Sequence, residues 1–296
     1  MRIRLIDDPL AKMPNLALMK LSAWHKAQGD SVSFKEPRPD RIYASCIFPK
    51  SRSDILGQLS LFPSAEIRIG GYGINKAKLP PEIEHICPDY SLYDIDYSMG
   101  FTSRGCPRQC PWCIIPKIEG PIHDLASLSE FLRHSRLILL DNNFLASPRC
   151  YENLRSLINQ RIRVNFSQGL DIRLVDSEIV HLLSRVRYAT RTFSRRILHF
   201  SFDEPDLEPS VLEGIRKLKA IGIKPRHLVF YVLVGFNTEF HEDLSRVKLL
   251  VREGVLPYVM RYNYNRKDHR LNAFARWANN PWLRDIPWEK YTRRSH

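Results

Sequence analysis

Six cysteines sit at positions 46, 87, 106, 110, 113 and 150. Three of them fall in one stretch, Gly105-Cys106-Pro107-Arg108-Gln109-Cys110-Pro111-Trp112-Cys113. Thiolates spaced x3 and x2 in a single loop can reach three corners of an iron–sulfur cube, and such cubes normally take four cysteines. The next cysteine is Cys150, so one iron is left without a local thiolate. An open metal position is what a site needs in order to bind and activate a small molecule. A structural zinc site formed by Cys106, Cys110, Cys113 and His123 is the competing reading. Zinc sites usually place a C-x2-C pair well away from a second pair, and no such second pair occurs. A helix start expected at Asp124 makes His123 more simply a first-turn helix residue. Cys46, Cys87 and Cys150 read as buried or free thiols. A secreted disulfide scaffold would be shorter and richer in cysteine, so a reducing, cytoplasmic compartment is expected.

The elements that must position this loop can be traced along the chain of 296 residues. Its apolar and charged fractions, 44% and 26%, are those of a folded protein rather than a disordered one. No run approaches roughly 18 apolar residues, so no membrane span is expected. The N-terminus MRIRLIDDPL lacks a basic region leading an apolar segment, so secretion is not expected.

Residues 1–95 read as a small α/β unit. Strand candidates are 3–6, 31–34, 42–48 and 66–73. A helix follows from Leu16 and stops at Gly29-Asp30, and Ile55, Leu56 and Leu59 mark a shorter one. Strands alternating with helices imply a mostly parallel, doubly wound sheet. The stretch 79–97 contains Pro80, Pro81 and Pro88 and little periodicity. It reads as a linker with a domain boundary near residue 95.

Beyond it, strand-like runs occur at 97–103, 137–141, 162–167, 197–202, 227–234 and 256–262. Helical stretches at 124–134, 148–160, 176–184, 208–221 and 239–253 lie between them. Glu239, Glu242 and Asp243 in a first turn suit the helix dipole. Strands and helices alternating in this way suggest a parallel barrel or part of one, with chemistry at the C-terminal ends of the strands.

Cys-x3-Cys-x2-Cys with an aromatic, here Trp112, just before the last cysteine resembles the signature of radical S-adenosylmethionine (SAM) enzymes. The resemblance covers 96–296 and implies a partial (β/α)6 barrel over 96–264 whose cluster loop follows the first strand. It implies a 4Fe-4S cluster on Cys106, Cys110 and Cys113 whose fourth iron chelates the amino and carboxylate groups of SAM. It also implies reductive SAM cleavage, hydrogen abstraction from a substrate, and a flavodoxin- or ferredoxin-like electron donor.

The strand ends can be set against the family pattern. Asp141-Asn142-Asn143 replaces the common glycine-rich turn, and resembles the acidic-Asn turns of the branch with an N-terminal cobalamin-binding-like domain. Asp141 and Asn142 could accept from the SAM ammonium, while a polar turn with a left-handed Asn143 is the plain alternative. Asp171 and Arg173 would face alternate sides if extended. Arg173 is a candidate for the SAM carboxylate, against a buried ion pair or a polar group at a helix start. Ser201 and Asp203 share one side of a strand and could bond ribose hydroxyls, against capping of the next helix by Asp203 or Asp206. Gly235, Phe236 and Asn237 form the turn that meets adenine in the family, with Thr238 as a helix N-cap. Met260-Arg261-Tyr262-Asn263-Tyr264 would lie at the barrel mouth.

A Rossmann-like domain in front of such a barrel also resembles the cobalamin-binding subgroup, and Gly70-Gly71-Tyr72-Gly73 resembles its glycine turn. No Asp-x-His-x-x-Gly motif is present, so cobalamin is not favoured as a cofactor. Methylthio transfer would call for a second three-cysteine cluster, for which Cys46 and Cys87 supply two candidates.

Net charge is +13. Residues 1–95 hold 13 Lys and Arg against 11 Asp and Glu, so most of the excess lies later. Arg185, Arg187, Arg191, Arg195 and Arg196 occur without an intervening acid. The C-terminal extension 265–296 interleaves basic residues with Phe274, Trp277, Trp282, Trp288 and Tyr291, and Tyr262 and Tyr264 precede it. Such interleaving suits phosphate contacts plus base stacking, which makes a nucleic-acid substrate one expectation. Aromatics that pack the tail back onto the fold, with arginines on a solvated face, are the other. A cobalamin-dependent radical SAM methyltransferase and a non-catalytic, basic iron–sulfur or zinc binding module are the alternative functions.

Overall fold

A computed structural model of the chain describes residues 1–75, 77–262 and 268–292. Asn263, Tyr264 and the start of the expected C-terminal extension lie outside the described residues. The protein is mixed α/β with parallel sheets. It divides into two compact units, residues 1–100 with 126–136, and residues 101–125 with 137–296.

The first unit holds a four-stranded sheet in the order Ser31–Ser33, Arg2–Ile6, Arg41–Ser45, Glu66–Gly70, all parallel. Alternation sends Ile3 and Leu5 to Leu18 and Leu21 of the helix Leu16–Ala27. Ile6, Ile42 and Ala44 pack with Ile55 and Leu59 of the helix Arg52–Leu59. Both faces are thus covered, as a parallel sheet requires. The expected linker is instead packed structure. Ile83 is buried in the helix Pro81–Glu84, and Tyr90 is buried with its hydroxyl donating to the Phe131 carbonyl. Asp89 accepts from Ser22 and Lys26. Pro80 and Pro81 start the helix Pro81–Glu84, and Lys20 of the helix Leu16–Ala27 pairs with Glu84 at its end.

In the second unit the expected first strand is split into Ser98–Gly100, which belongs to the first unit, and Ser103–Arg104. Ser103–Arg104 pairs antiparallel with His123–Asp124. His123 is therefore a strand residue, and the expected helix 124–134 shortens to Leu128–Phe131. Strands Arg136–Leu139, Arg163–Phe166 and Arg187–Tyr188 are successive neighbours in one sheet, and Leu198–Ser201, Leu228–Val234 and Leu256–Arg261 form a second, parallel sheet. A parallel bridge between Leu170 and Phe200 joins the two. The two-residue strand Arg187–Tyr188 carries too little periodicity to be read from sequence.

Helices Cys150–Asn159, Ser177–Arg185, Glu208–Ala220 and Phe240–Arg252 connect these strands. The last starts at Glu239, in a capping box with Glu242, rather than at Thr238. In the second sheet Phe200, Leu228, Phe230, Val232 and Val259 are buried on one face. The other face, with His199, Ser201, Tyr231, Tyr258 and Met260, is only partly covered. Among the described residues no helix is long and apolar enough to cross a membrane.

Candidate functional site

The polar residues that follow the strand ends converge on the cysteine loop. Asn143 is buried, 6% exposed. Its Nδ2 donates to Asp171 Oδ2 at 3.2 Å and lies 3.6 Å from Cys106 Sγ. Asp171 caps the turn Ile172–Leu174, which folds Arg173 back onto it: Nε to Oδ1 is 2.7 Å and Nη2 to Oδ2 is 3.0 Å. Arg108, from inside the cysteine motif, donates to Asp171 Oδ2 at 3.0 Å. The expectation of alternate sides for Asp171 and Arg173 fails because this segment is a turn, not a strand. Burial opposes ionisation of Asp171, but the Arg173 and Arg108 guanidiniums outweigh it and hold its carboxyl below the usual range.

Asp141 is buried and takes hydrogen bonds from the backbone and hydroxyls of Thr102 and Ser103, the closest at 2.6 Å. Its oxygens are thus committed to anchoring the strand that leads into the cysteine loop. Burial pushes its carboxyl up despite those bonds. Asn142 donates to Glu119, which also accepts from Arg104 at 2.7 Å and from Gly105 N–H at 3.0 Å. Glu119 staples both ends of the loop. Asn143 has φ −148°, so the left-handed alternative for it is not observed.

Cys106, Cys110 and Cys113 are free and half-buried, while Cys46 and Cys150 are buried. Burial, with Cys113 beside it, pushes the Cys110 thiol up to about 11. Arg173 opposes that shift, while Cys106 and Glu204 add to it. Arg173 and Glu204, from two separate segments, therefore sit within electrostatic reach of Cys110 together with its two loop neighbours. Among the described residues no group of three or more His, Cys, Asp or Glu side chains converges on one ion position. His123 is exposed, with Nδ1 3.0 Å from the Pro121 carbonyl.

Trp112 packs edge-on against Phe236, ring centres 5.5 Å apart, and Phe236 against Tyr262 at 4.6 Å. The cysteine loop, the turn after Leu228–Val234 and the end of the last strand thereby meet. Asn237 has φ 48°. A side chain at Gly235, φ 76°, would meet Leu271 Cδ1 at 2.8 Å, so the chain itself makes a close approach there. A buried ion pair, Asp243 with Arg246, holds this turn. Asp243 accepts from Thr238 at 2.7 Å, and Arg246 donates to the Phe202 and Leu233 carbonyls at 2.6 and 2.9 Å. Asp203 accepts from Leu233 N–H at 3.0 Å and caps no helix. Burial pushes its carboxyl up to about 6.

Ser201, Tyr231 and Tyr258 are successive register partners on the partly covered face. His199 stacks on Tyr231 at 5.3 Å and 6°, and Tyr231 meets Tyr258 edge-on at 5.8 Å. Tyr258 and Met260 remain 47% and 45% exposed. Sequence reasoning missed Arg108, Glu119, the Asp243–Arg246 pair and this ring row. The ring row had a legible signal, since His199, Tyr231 and Tyr258 sit at alternate positions of strands whose other face is apolar. Arg108 and Glu119 had none, because Asp171 and Arg104 are far from them in the chain, whereas Asp243 and Arg246 lie at i, i+3 on one helix and only their burial was not legible.

In the first unit, a side chain at Gly71 would fall 2.3 Å from the Cys46 carbonyl oxygen, and φ there is 110°. One at Gly73 would fall 2.7 Å from the Phe48 carbonyl. The chain's own backbone makes the close approach at this glycine turn. In the tail, Phe274, Trp277, Trp288 and Tyr291 are buried in one aromatic cluster, and Trp282 is exposed. Those four rings are not available for base stacking.

No family model matches this sequence, and a comparison with curated proteins gives no match.

Proposed function

We propose that the protein is a radical SAM enzyme that holds a 4Fe-4S cluster on Cys106, Cys110 and Cys113 and acts in the second unit, built as a partial (β/α)6 barrel. The observation that carries this reading is the convergence of one three-thiol loop with the polar groups after successive parallel strands. The donor set is compatible with a cube. Each thiolate of a cube takes a different iron, so three cysteines need not meet at one ion position. When bound, the cluster supplies the electron that cleaves SAM to methionine and a hydrogen-abstracting 5′-deoxyadenosyl radical.

The chain's own residues set the stage for that chemistry. Glu119 and Asp141 fix the loop where it begins and where it closes. Asn143 directs its amide toward Cys106. Arg173, compensated by Asp171, offers the charge for a carboxylate. Ser201, on the partly covered face, offers an acceptor for a ribose hydroxyl, and Asp203 holds the Leu233 amide beside the Phe236 turn. Trp112, Phe236 and Tyr262 wall the region with rings and limit water. Because Cys110 holds its proton at neutral pH without metal, loading the site releases protons. His199, Tyr231, Tyr258 and Met260 form the substrate side. Electrons would come from a flavodoxin- or ferredoxin-like donor. No cobalamin step is proposed, since the sequence holds no Asp-x-His-x-x-Gly motif.

The test is anaerobic. Protein reconstituted with iron and sulfide should carry about four irons per chain and, with dithionite and SAM, form 5′-deoxyadenosine. Cys110→Ala should lose both. Bound zinc, or a cluster that leaves SAM intact, would refute the reading in favour of a binding module.

A further inference from the structure

The opposite ends of the same strands carry a second feature. Arg163 opens the strand Arg163–Phe166 and is the register partner of Arg187, the first residue of Arg187–Tyr188. Arg187 donates to the Arg161 carbonyl and Arg163 to the Phe193 carbonyl, both at 3.0 Å. Phe193 is buried, φ 57°, and pins a turn closed by Thr190 N–H on the Arg195 carbonyl at 2.9 Å. That turn exposes Arg191, Arg195 and Arg196, with the Thr192 and Ser194 hydroxyls 2.9 Å apart between them. Arg196 lies over the Tyr188 ring at 4.7 Å, and the Tyr188 hydroxyl lies 3.3 Å from His227 Nδ1. Burial holds His227 below its ordinary value, helped by Arg196, Arg226 and Lys224, which therefore surround the same ring.

Among the described residues, none of Arg161, Arg163, Arg187, Arg191, Arg195 and Arg196 pairs with a carboxylate. Uncompensated guanidiniums repel one another, and a polyanion relieves that repulsion while releasing its own counterions. The guanidinium fork matches phosphate geometry. These arginines come from several segments and line a stretch of surface, which suits an extended chain of phosphates better than one phosphate. The rings beneath, Tyr188 and Phe193, are buried, so the surface offers charge and hydroxyls but no stacking platform.

We infer that the N-terminal ends of these strands form a docking surface for the sugar–phosphate backbone of a nucleic acid, at the strand ends opposite the cysteine loop. It grips without reading sequence. The inference does not depend on the cluster, so it stands or falls separately from the radical SAM reading.

The experiment is fluorescence anisotropy on the full chain. The probes are a single-stranded RNA and a duplex DNA of equal length, each in two unrelated sequences. Phosphatidylserine vesicles and poly-glutamate serve as competitors. Binding should be insensitive to sequence, and log K should fall with log salt with a slope of about −4 to −6. Arg191→Glu/Arg195→Glu/Arg196→Glu should weaken binding about tenfold or more and flatten the slope by about one per arginine. Lys12→Glu/Lys35→Glu/Lys50→Glu makes the same change in net charge on exposed lysines of the first unit, and should alter affinity by about twofold at most. Unchanged thermal melts in both triples separate lost contacts from lost fold. Equal weakening by the two triples would reduce the effect to net charge and overturn the inference. Preference for the vesicles or poly-glutamate over both nucleic acids would overturn it too.

Discussion

Two groups of arginines in the second unit are treated in opposite ways. Around the cysteine loop the arginines have carboxylates: Arg104 with Glu119, and Arg108 and Arg173 with Asp171. In the other group Arg163, Arg187 and Arg196 rest on carbonyls or a ring and meet no acid among the described residues. Balanced charge among half-buried groups orients them with little net field, which suits the proposed site, where thiolates and a zwitterion would sit together. Unbalanced charge on a surface projects a field, which suits a polyanion.

The largest expected effect breaks one side of this contrast alone. Cys106→Ala should reduce SAM cleavage to background while leaving RNA affinity at the wild-type value; loss of both would mean that the two are not independent. Next is the buried pair behind the Phe236 turn. Asp243→Ala should cost about 3–5 kcal/mol in urea denaturation, because it strands a buried guanidinium, whereas Asp243→Ala with Arg246→Met should recover much of that.

A smaller effect concerns pH. The Asp203 carboxyl, raised to about 6 by burial, binds its proton more tightly in the folded state than in the unfolded one. Its contribution to stability is therefore fully present at pH below the ordinary carboxylate value and is lost as pH rises to about 6. Asp203→Asn should remove that decline, on the order of 1–3 kcal/mol between pH 4 and 7, in ligand-free denaturation curves. The smallest effect sharpens the contrast in the other group. Arg191→Ala should change stability by no more than about 0.5 kcal/mol, since it removes no carboxylate partner. A larger loss would show a structural role for the basic turn.

How far the fold was legible follows from the range of each signal. The helices Leu16–Ala27 and Glu208–Ala220 and the strand Leu228–Val234 were readable because periodicity is local. The segment 79–97 was misread because its burial comes from Asp89, Tyr90 and Ile83 meeting partners distant in sequence. His123 was misplaced because strand pairing with Arg104 overrode a weak helix signal. For the site, the cysteine spacing was legible, whereas the roles of Asp141 and Asp203 were not. Asp141 was read as an acceptor for the SAM ammonium, and Asp203 as a ribose acceptor or a helix cap. Thr102 and Ser103 occupy the first, and the Leu233 amide binds the second.

By itself, the sequence determined the three thiols in one loop, the alternation of strands and helices, and the excess of positive charge after residue 95. These are properties of neighbours along the chain. Only the tertiary structure decided which charges cancel. Asp171 became a counterion to Arg108 and Arg173 through a turn, Phe274, Trp277, Trp288 and Tyr291 of the tail became core, and Arg163 and Arg187 were left without a carboxylate among the described residues. Ion pairing and burial depend on distances that the backbone sets between remote residues, and no local pattern encodes those distances.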